Sequence, residues 1–296
     1  MDIKSSGIII SIILMLIGPV KADEKIQVVA SFSILTDLIQ EIGGDRVSVD
    51  TLVGPEQDAH VFNPAPKDAV RIAQSKLVFL NGLGFEGWME RLVKSAASKT
   101  KLIIVTSGIK PHSRKYKNGY EDLDPHAWQD VRNIRIYAAN ITEALIAIDP
   151  AGKITYENNF YRYDANLISL DAFIRSSIIA IPSERRKIVT THDAFGYFEQ
   201  AYGVSIIAPQ GVSTESEASA KDVATIIRQV KSEHIPAIFI ENISDPRLAE
   251  QIAKESGAKI GGKLYSDALS NENGPAGTYI TMMETNIREL TKAMMP

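Results

Sequence analysis

The sequence predicts an α/β fold in two halves separated by one long helical passage. Three observations carry that expectation. Short β-branched runs alternate with amphipathic stretches from Glu24 to Gly108 and again from Arg186 onward, the pattern of parallel β-α-β units. Strand candidates such as LVFL and LIIV are apolar at every position, as strands buried on both faces are. Between the halves, two helical stretches are broken only at Asp149-Pro150.

In order, KIQVVASF reads as a strand, SILTDLIQEIGG as a helix and VSVDTLVG as a strand. KDAVRIAQS is helical, KLVFLNG a strand, GWMERLVKSAAS a helix and KLIIVTSG a strand. After Asp130, VRNIRIYAANITEALIAI is one helix. AGKITYENNFYRYDANLISLDAFIRSSIIAI then runs without proline or glycine beyond Gly152. Apolar and aromatic positions at Ile154, Tyr161, Leu167, Leu170 and Phe173 keep a loose helical spacing there. Helices average about eleven residues, so this length demands a purpose, and thirty residues span on the order of 45 Å. The alternation then resumes with KIVTTHDAF, FEQAYG, VSIIAPQG, SAKDVATIIRQVKSEH, AIFIEN, DPRLAEQIAKESG and AKIGGKLYSD. TYITMMETNIRELTKAMM closes the chain as a helix.

With 296 residues and 45% hydrophobic content, the chain can bury the core of two ordinary domains. Its first 22 residues differ in kind: Lys4, the apolar run GIIISIILMLIG, then PVKA with small residues at Val20 and Ala22. We read a secretory signal peptide cut after Ala22, its apolar run being shorter than the ~20 residues a membrane span needs. Cleavage removes Lys4, Lys21 and Asp2 and leaves 30 basic and 35 acidic residues, which points away from a nucleic-acid partner. The absence of cysteine excludes disulfides, thiolate ligands, thiol nucleophiles and a lipidated cysteine at the cleavage site. The expected location is therefore the periplasm, without a lipid anchor.

Four residues stand out on this map. His60 follows the strand VSVDTLVG, His126 lies in DLDPHAWQD, His192 follows KIVTT, and Asp267 follows GGKLY. Open parallel sheets bind ligands at the carboxyl ends of their strands. The spacings of 66, 66 and 75 residues match no local metal motif, so such a site would be assembled by the fold from both halves. Three imidazoles and a carboxylate suit zinc in four-coordinate geometry, or manganese if the carboxylate is bidentate or water joins. Asp58, Asp124 and Asp193 lie close by in sequence as carboxylates that would orient the imidazoles. A histidine in a loop is ordinarily just a polar surface residue, and His112 and His234 are read that way. No GxSxG, HExxH or cysteine is present, and LNGLGFEG lacks the rest of a phosphate loop.

Taken together, these segments resemble the zinc/manganese/iron-specific solute-binding proteins of bacterial ABC transporters, the metal-binding lipoprotein and adhesin family. VVASFSILTDLIQEIGGDRVSV is similar to the family's opening strand and helix. DAHVFNPAPKDAVRIAQSKLVFLNGLGFEGWM, DPHAWQDVRN and KIVTTHDAFGYFEQAYGV resemble its first three ligand segments. STESEASAKDV and FIENISDPRLAEQIAKESGAKI resemble later blocks, and LYSDALS the strand end carrying the fourth ligand. The resemblance implies two α/β lobes joined by one rigid long helix, with a metal site in the interlobe cleft. His60 and His126 would come from the first lobe, His192 and Asp267 from the second. The divisions expected are 1–22 for the signal peptide, 23–148 for the N-terminal lobe, 149–181 for the linking helix and 182–296 for the C-terminal lobe.

The function this implies is capture of one Mn2+ or Zn2+ ion and its delivery to an ABC permease driven by an ATPase. Histidine at position 192, where other members carry glutamate, leaves room for zinc. PHSRKYKNGYEDLD lacks the histidine-rich loop of dedicated zinc carriers, which leans the reading to manganese. A metal-dependent hydrolase and an adhesin-like interaction protein are the alternatives. An organic-solute binder would want arginine at the strand exits, which supply none. A monomer is the expected state, and metal affinity is expected to fall as pH drops through about 6.5.

Overall fold

A computed structural model describes residues 24–97, 99–115, 119 and 121–295. The signal peptide expected at 1–22 lies outside the described residues. The first half runs β1 (Ile26–Phe32), α1 (Ser33–Gly43), β2 (Val47–Val53), α2 (Pro66–Gln74), β3 (Leu77–Leu80), α3 (Met89–Ala96) and β4 (Lys101–Ile104). A hairpin of β5 (His112–Lys115) and β6 (Glu121–Asp124) follows, then α4 (Val131–Ile148) and α5 (Lys153–Ile179). The second half runs β7 (Lys187–Val189), α6 (Gly196–Tyr202), β8 (Ser205–Ile207), α7 (Ala220–Glu233) and β9 (Ala237–Glu241). It ends with α8 (Pro246–Ser256), β10 (Lys259–Leu264) and α9 (Tyr279–Met294).

Two four-stranded parallel sheets result, in the orders β2-β1-β3-β4 and β10-β9-β7-β8, so the mixed α/β class expected from alternation is what forms. Every residue of β3 is buried, in keeping with its unbroken apolar run. Helix starts follow local chemistry. Pro66 and Pro246 occupy first-turn positions where no N–H is needed, and Asp130, Ser219, Asp245 and Thr278 cap with their side chains.

Helix α5 has 27 residues, a length of about 40 Å. It buries Tyr156, Tyr163, Leu167, Leu170, Ile174 and Ile178 against α1, α4 and α9. Each such side chain contributes about 1.5–3 kcal/mol of burial energy. Polar bonds tie it to both halves: Asn159 donates to the Ile42 carbonyl at 2.9 Å, and Arg175 to the Ala201 carbonyl at 3.0 Å. Of the apolar positions that set the helical spacing, Leu167 and Leu170 are buried, whereas Ile154, Tyr161 and Phe173 face solvent. At about 100° per residue, Ile154 and Tyr161 fall opposite Leu167 and Leu170, with Phe173 between the two faces.

One apolar cluster continues from the first sheet through α4 and α5 to α6 and α9. A smaller one lies under α7 and α8. The final segment also returns to the first half. Leu269 N–H donates to Ser33 Oγ at 3.0 Å, and Tyr279 N–H to Asp37 at 2.8 Å. Burial, first, pushes the Asp37 carboxyl up to about 7.

Candidate metal centre

The strand exits of both sheets converge on one point. His60 lies in the loop after β2, His126 two residues after β6, His192 three after β7, and Asp267 three after β10. All four are buried, and each offers one ligand atom within 4.8 Å of the others. His60 Nε2 lies 3.3 Å from His126 Nε2 and 3.3 Å from Asp267 Oδ2. His192 Nε2 lies 3.2 Å from Asp267 Oδ2, and His126 Nε2 3.6 Å from Asp267 Oδ1. Both Asp267 oxygens and His192 Nε2 are buried without a well-aligned hydrogen bond among the described residues. Residues that are separate in sequence are thus brought into one buried cluster, in which these three atoms lack such a bond while His60 Nε2 and His126 Nε2 face each other.

The surroundings fix which nitrogen points inward. Asp124 Oδ1 stands 2.7 Å from His126 Nδ1 and accepts the His126 backbone N–H at 2.9 Å. Glu241 faces His192 as an ion-pair contact: Oε2 lies 2.5 Å from Nδ1, without the aligned hydrogen bond that Asp124 makes, and Oε1 accepts the backbone N–H at 2.8 Å. A carboxylate facing Nδ1 favours the tautomer protonated there, which leaves the Nε2 lone pair directed at the cluster. His60 is held by its backbone N–H to Asp58 Oδ1 at 2.9 Å and by the edge of Phe85, 4.7 Å between ring centroids.

Charge within the cluster follows from these contacts. Burial lowers the His126 imidazole, but the Asp267 charge and the Asp124 bond outweigh it and push it up to about 9. His192 is raised in the same way, its burial outweighed by Glu241 and Asp267. For His60 burial wins and the imidazole is lowered. Burial would raise Asp267, yet His192 and His126 hold it well below the usual carboxylate range. The cluster thus raises two imidazoles, His126 and His192, and lowers the aspartate they face.

Of the three orienting carboxylates expected from sequence, Asp124 acts on a ring and Asp58 on a backbone. Asp193 instead pairs with Arg114, at 2.5 Å. Glu241 was missed, although it ends β9 and so carried the same strand-exit signal as the histidines. His112 is no simple surface residue, since it sits 3.3 Å from Asp124 Oδ2, whereas His234 is exposed and caps α7 with φ of 52°. The hairpin β5–β6 spans the two halves: Arg114 reaches Asp193 and Glu199, and Tyr197 accepts the His112 N–H at 2.9 Å. Gly196 lets this happen, because a Cβ there would run into Asp124 Oδ2 and meet His112 Cε1 at 3.0 Å. A cavity of about 430 Å³ lined by Phe85, Asp122, Pro125, Val212 and Glu215 opens onto His60. Beside it Thr214 donates to Asp58 at 2.6 Å, joining the halves.

The chain is 33% identical over 276 residues to the iron-binding protein YfeA of Yersinia pestis, covering 93% of this chain and 88% of that one. It is 31% identical over 279 residues to the manganese ABC transporter substrate-binding lipoprotein PsaA of Streptococcus pneumoniae, covering 92% and 90%. The structure of the periplasmic zinc-binding protein TroA from Treponema pallidum superposes with a TM-score of 0.87 at 30% identity, covering 92% of this chain and 100% of that one. The two-lobe α/β arrangement expected from sequence matches the fold of TroA. One expectation is corrected here. A receptor without a lipid anchor was expected, but PsaA is a lipoprotein, so the likeness argues for lipid-anchored relatives rather than for a free receptor. The physical reason is that anchoring is a property of the N-terminal segment, which the folded lobes neither require nor forbid. Residues 28–293 match the model of zinc-uptake complex component A, periplasmic (ZnuA), and the chain belongs to that family.

Proposed function

We propose that this chain captures one divalent transition-metal ion, Mn2+ or Zn2+, between its lobes and delivers it to an ABC permease driven by its ATPase. His60, His126 and His192 bind through Nε2, and Asp267 through its carboxylate. The observation that carries this reading is the spacing of the donors. Four donors placed 2.0–2.2 Å from one tetrahedral ion stand about 3.3–3.6 Å apart; the four separations quoted above run from 3.2 to 3.6 Å, and one ligand atom from each of the four residues lies within 4.8 Å of all the others. Both Asp267 oxygens face the cluster, so the carboxylate can bind through one or both, the difference that separates four-coordinate zinc from manganese. Relatives of similar identity carry iron, manganese and zinc in their names, which supports a cargo chosen by such local detail rather than by the fold.

Elemental analysis followed by competitive manganese and zinc titration tests the proposal. One equivalent of metal is expected in the wild type, with affinity lowered at least about 100-fold in His60→Ala, which deletes a ligand. A wild type that binds no stoichiometric ion overturns it.

A further inference from the structure

The face of α5 opposite its buried side carries an apolar stripe that nothing described covers. Ile154, Tyr161, Ile168 and Ile179 are 73%, 66%, 51% and 72% exposed, and Ala165 and Ala172 between them are exposed too. At about 100° per residue these six fall within an arc of about 60°, a straight seam along the helix. Their steps are seven, four, three, four and seven residues, the spacing of a coiled-coil seam. That series reads the same in both directions.

We propose that this stripe is the docking surface for a second copy of the same chain, paired antiparallel along α5 about a two-fold axis near Asn166 and Leu167. A two-fold interface brings one surface against itself, so it needs a self-complementary pattern. The axis sets Ile154 against the partner's Ile179, Tyr161 against the partner's Ala172, and Ala165 against the partner's Ile168. Two of these three pairings set a large side chain against alanine, the alternation by which facing helices interdigitate. Charge agrees. Glu157 and Arg175 lie on the same edge of the stripe, where antiparallel helices pair like with like, and the axis brings Glu157 of one copy beside Arg175 of the other, twice. Glu157 has Lys153 at 3.7 Å in its own chain, and Arg175 already bonds Asp171 at 2.8 Å and the Ala201 carbonyl at 3.0 Å, so the partner's glutamate would use the guanidinium N–H groups these leave over.

A helix pair about 40 Å long and about 10 Å wide buries on the order of 800 Å² in total. That is below a standard stable interface, so the association is weak and concentration-dependent. The inference does not rest on the metal reading, since no stripe residue belongs to the site, and metal stoichiometry serves as a control for folding.

Sedimentation velocity from about 1 µM to about 1 mM tests it. The wild type is expected to shift from monomer towards dimer, whereas Tyr161→Glu and Ile168→Glu stay monomeric with unchanged far-UV spectra and metal stoichiometry. The chain lacks cysteine, so direction can be read by cross-linking. Mixed Ile154→Cys and Ile179→Cys chains should form a disulfide dimer with oxidised glutathione, which takes up the two electrons and two protons. Ile154→Cys alone should not, its two sulfurs lying about 37 Å apart in the antiparallel dimer. A wild type that stays monomeric throughout, glutamate variants that still dimerise, or cross-linking by Ile154→Cys alone overturns the proposal. Binding of the monomer to neutral lipid vesicles without self-association also overturns it, and assigns the stripe to a membrane surface.

Discussion

Replacing Glu241 by glutamine tests how a residue that never touches the cargo governs it. Glu241 is fully buried, accepts from the backbone of Thr191 and His192 and from Thr191 Oγ1, and faces His192 Nδ1 at 2.5 Å. The amide keeps the shape but loses the charge that makes the imidazole a stronger donor. Loss of such a partner costs roughly 10–100-fold in metal affinity, about 1.4–2.7 kcal/mol. The same charge also raises the His192 imidazole in the metal-free site, so the wild type must expel a proton that the variant holds less tightly. The two effects oppose each other. Above the imidazole pKa values the deficit appears in full, and it narrows as pH falls and proton competition comes to burden the wild type more. Competitive metal titration of both proteins at several pH values between 6 and 10 reads this directly. Equal affinities at high pH remove Glu241 from the site, and a deficit that widens towards acid reverses the sign of the argument.

Other consequences follow from the same contacts. His126 is pushed up to about 9 in the folded metal-free state from the ordinary histidine value of 6.5, so its stabilising contribution is complete below 6.5 and lost as pH rises through about 9. Metal-free protein should therefore lose up to about 3 kcal/mol across that window. Metal affinity should rise across the same window, higher than the fall through about 6.5 expected from unperturbed histidines; a flat metal-free melting profile would refute the first of these. Gly196→Ala pushes a methyl into Asp124 and should cost about 1–3 kcal/mol, together with a loss of metal affinity, by denaturation and titration. Unchanged affinity there would show that Asp124 does not position His126. Arg114→Ala leaves the buried Asp193 without its cation and loosens the hairpin's hold on the second half, where the His112 N–H to Tyr197 remains, at a cost on the order of 1–3 kcal/mol. One equivalent of metal should remain but dissociate faster in stopped-flow chelation, and an unaltered rate would reduce Arg114 to a surface residue.

The alternation of strand and helix, the all-apolar strands and the length of α5 were legible because each rests on patterning within a few turns of chain. The four cluster residues were legible for a related reason: polar groups that can bind metal at strand ends are few in this sequence. The contacts around them were not. Glu241 and Asp193 look alike from sequence, both acidic and both close to a strand end, yet one faces an imidazole and the other an arginine 79 residues away. The outward turn of Ile154, Tyr161 and Phe173 was equally hidden, because an apolar residue signals burial only relative to the face that packs. The sequence by itself determined which elements form and which residue types stand at their ends. Tertiary structure alone decided which side chains meet, because side-chain contacts act over a few ångströms, and which groups come that close depends on how both sheets and the helix between them pack.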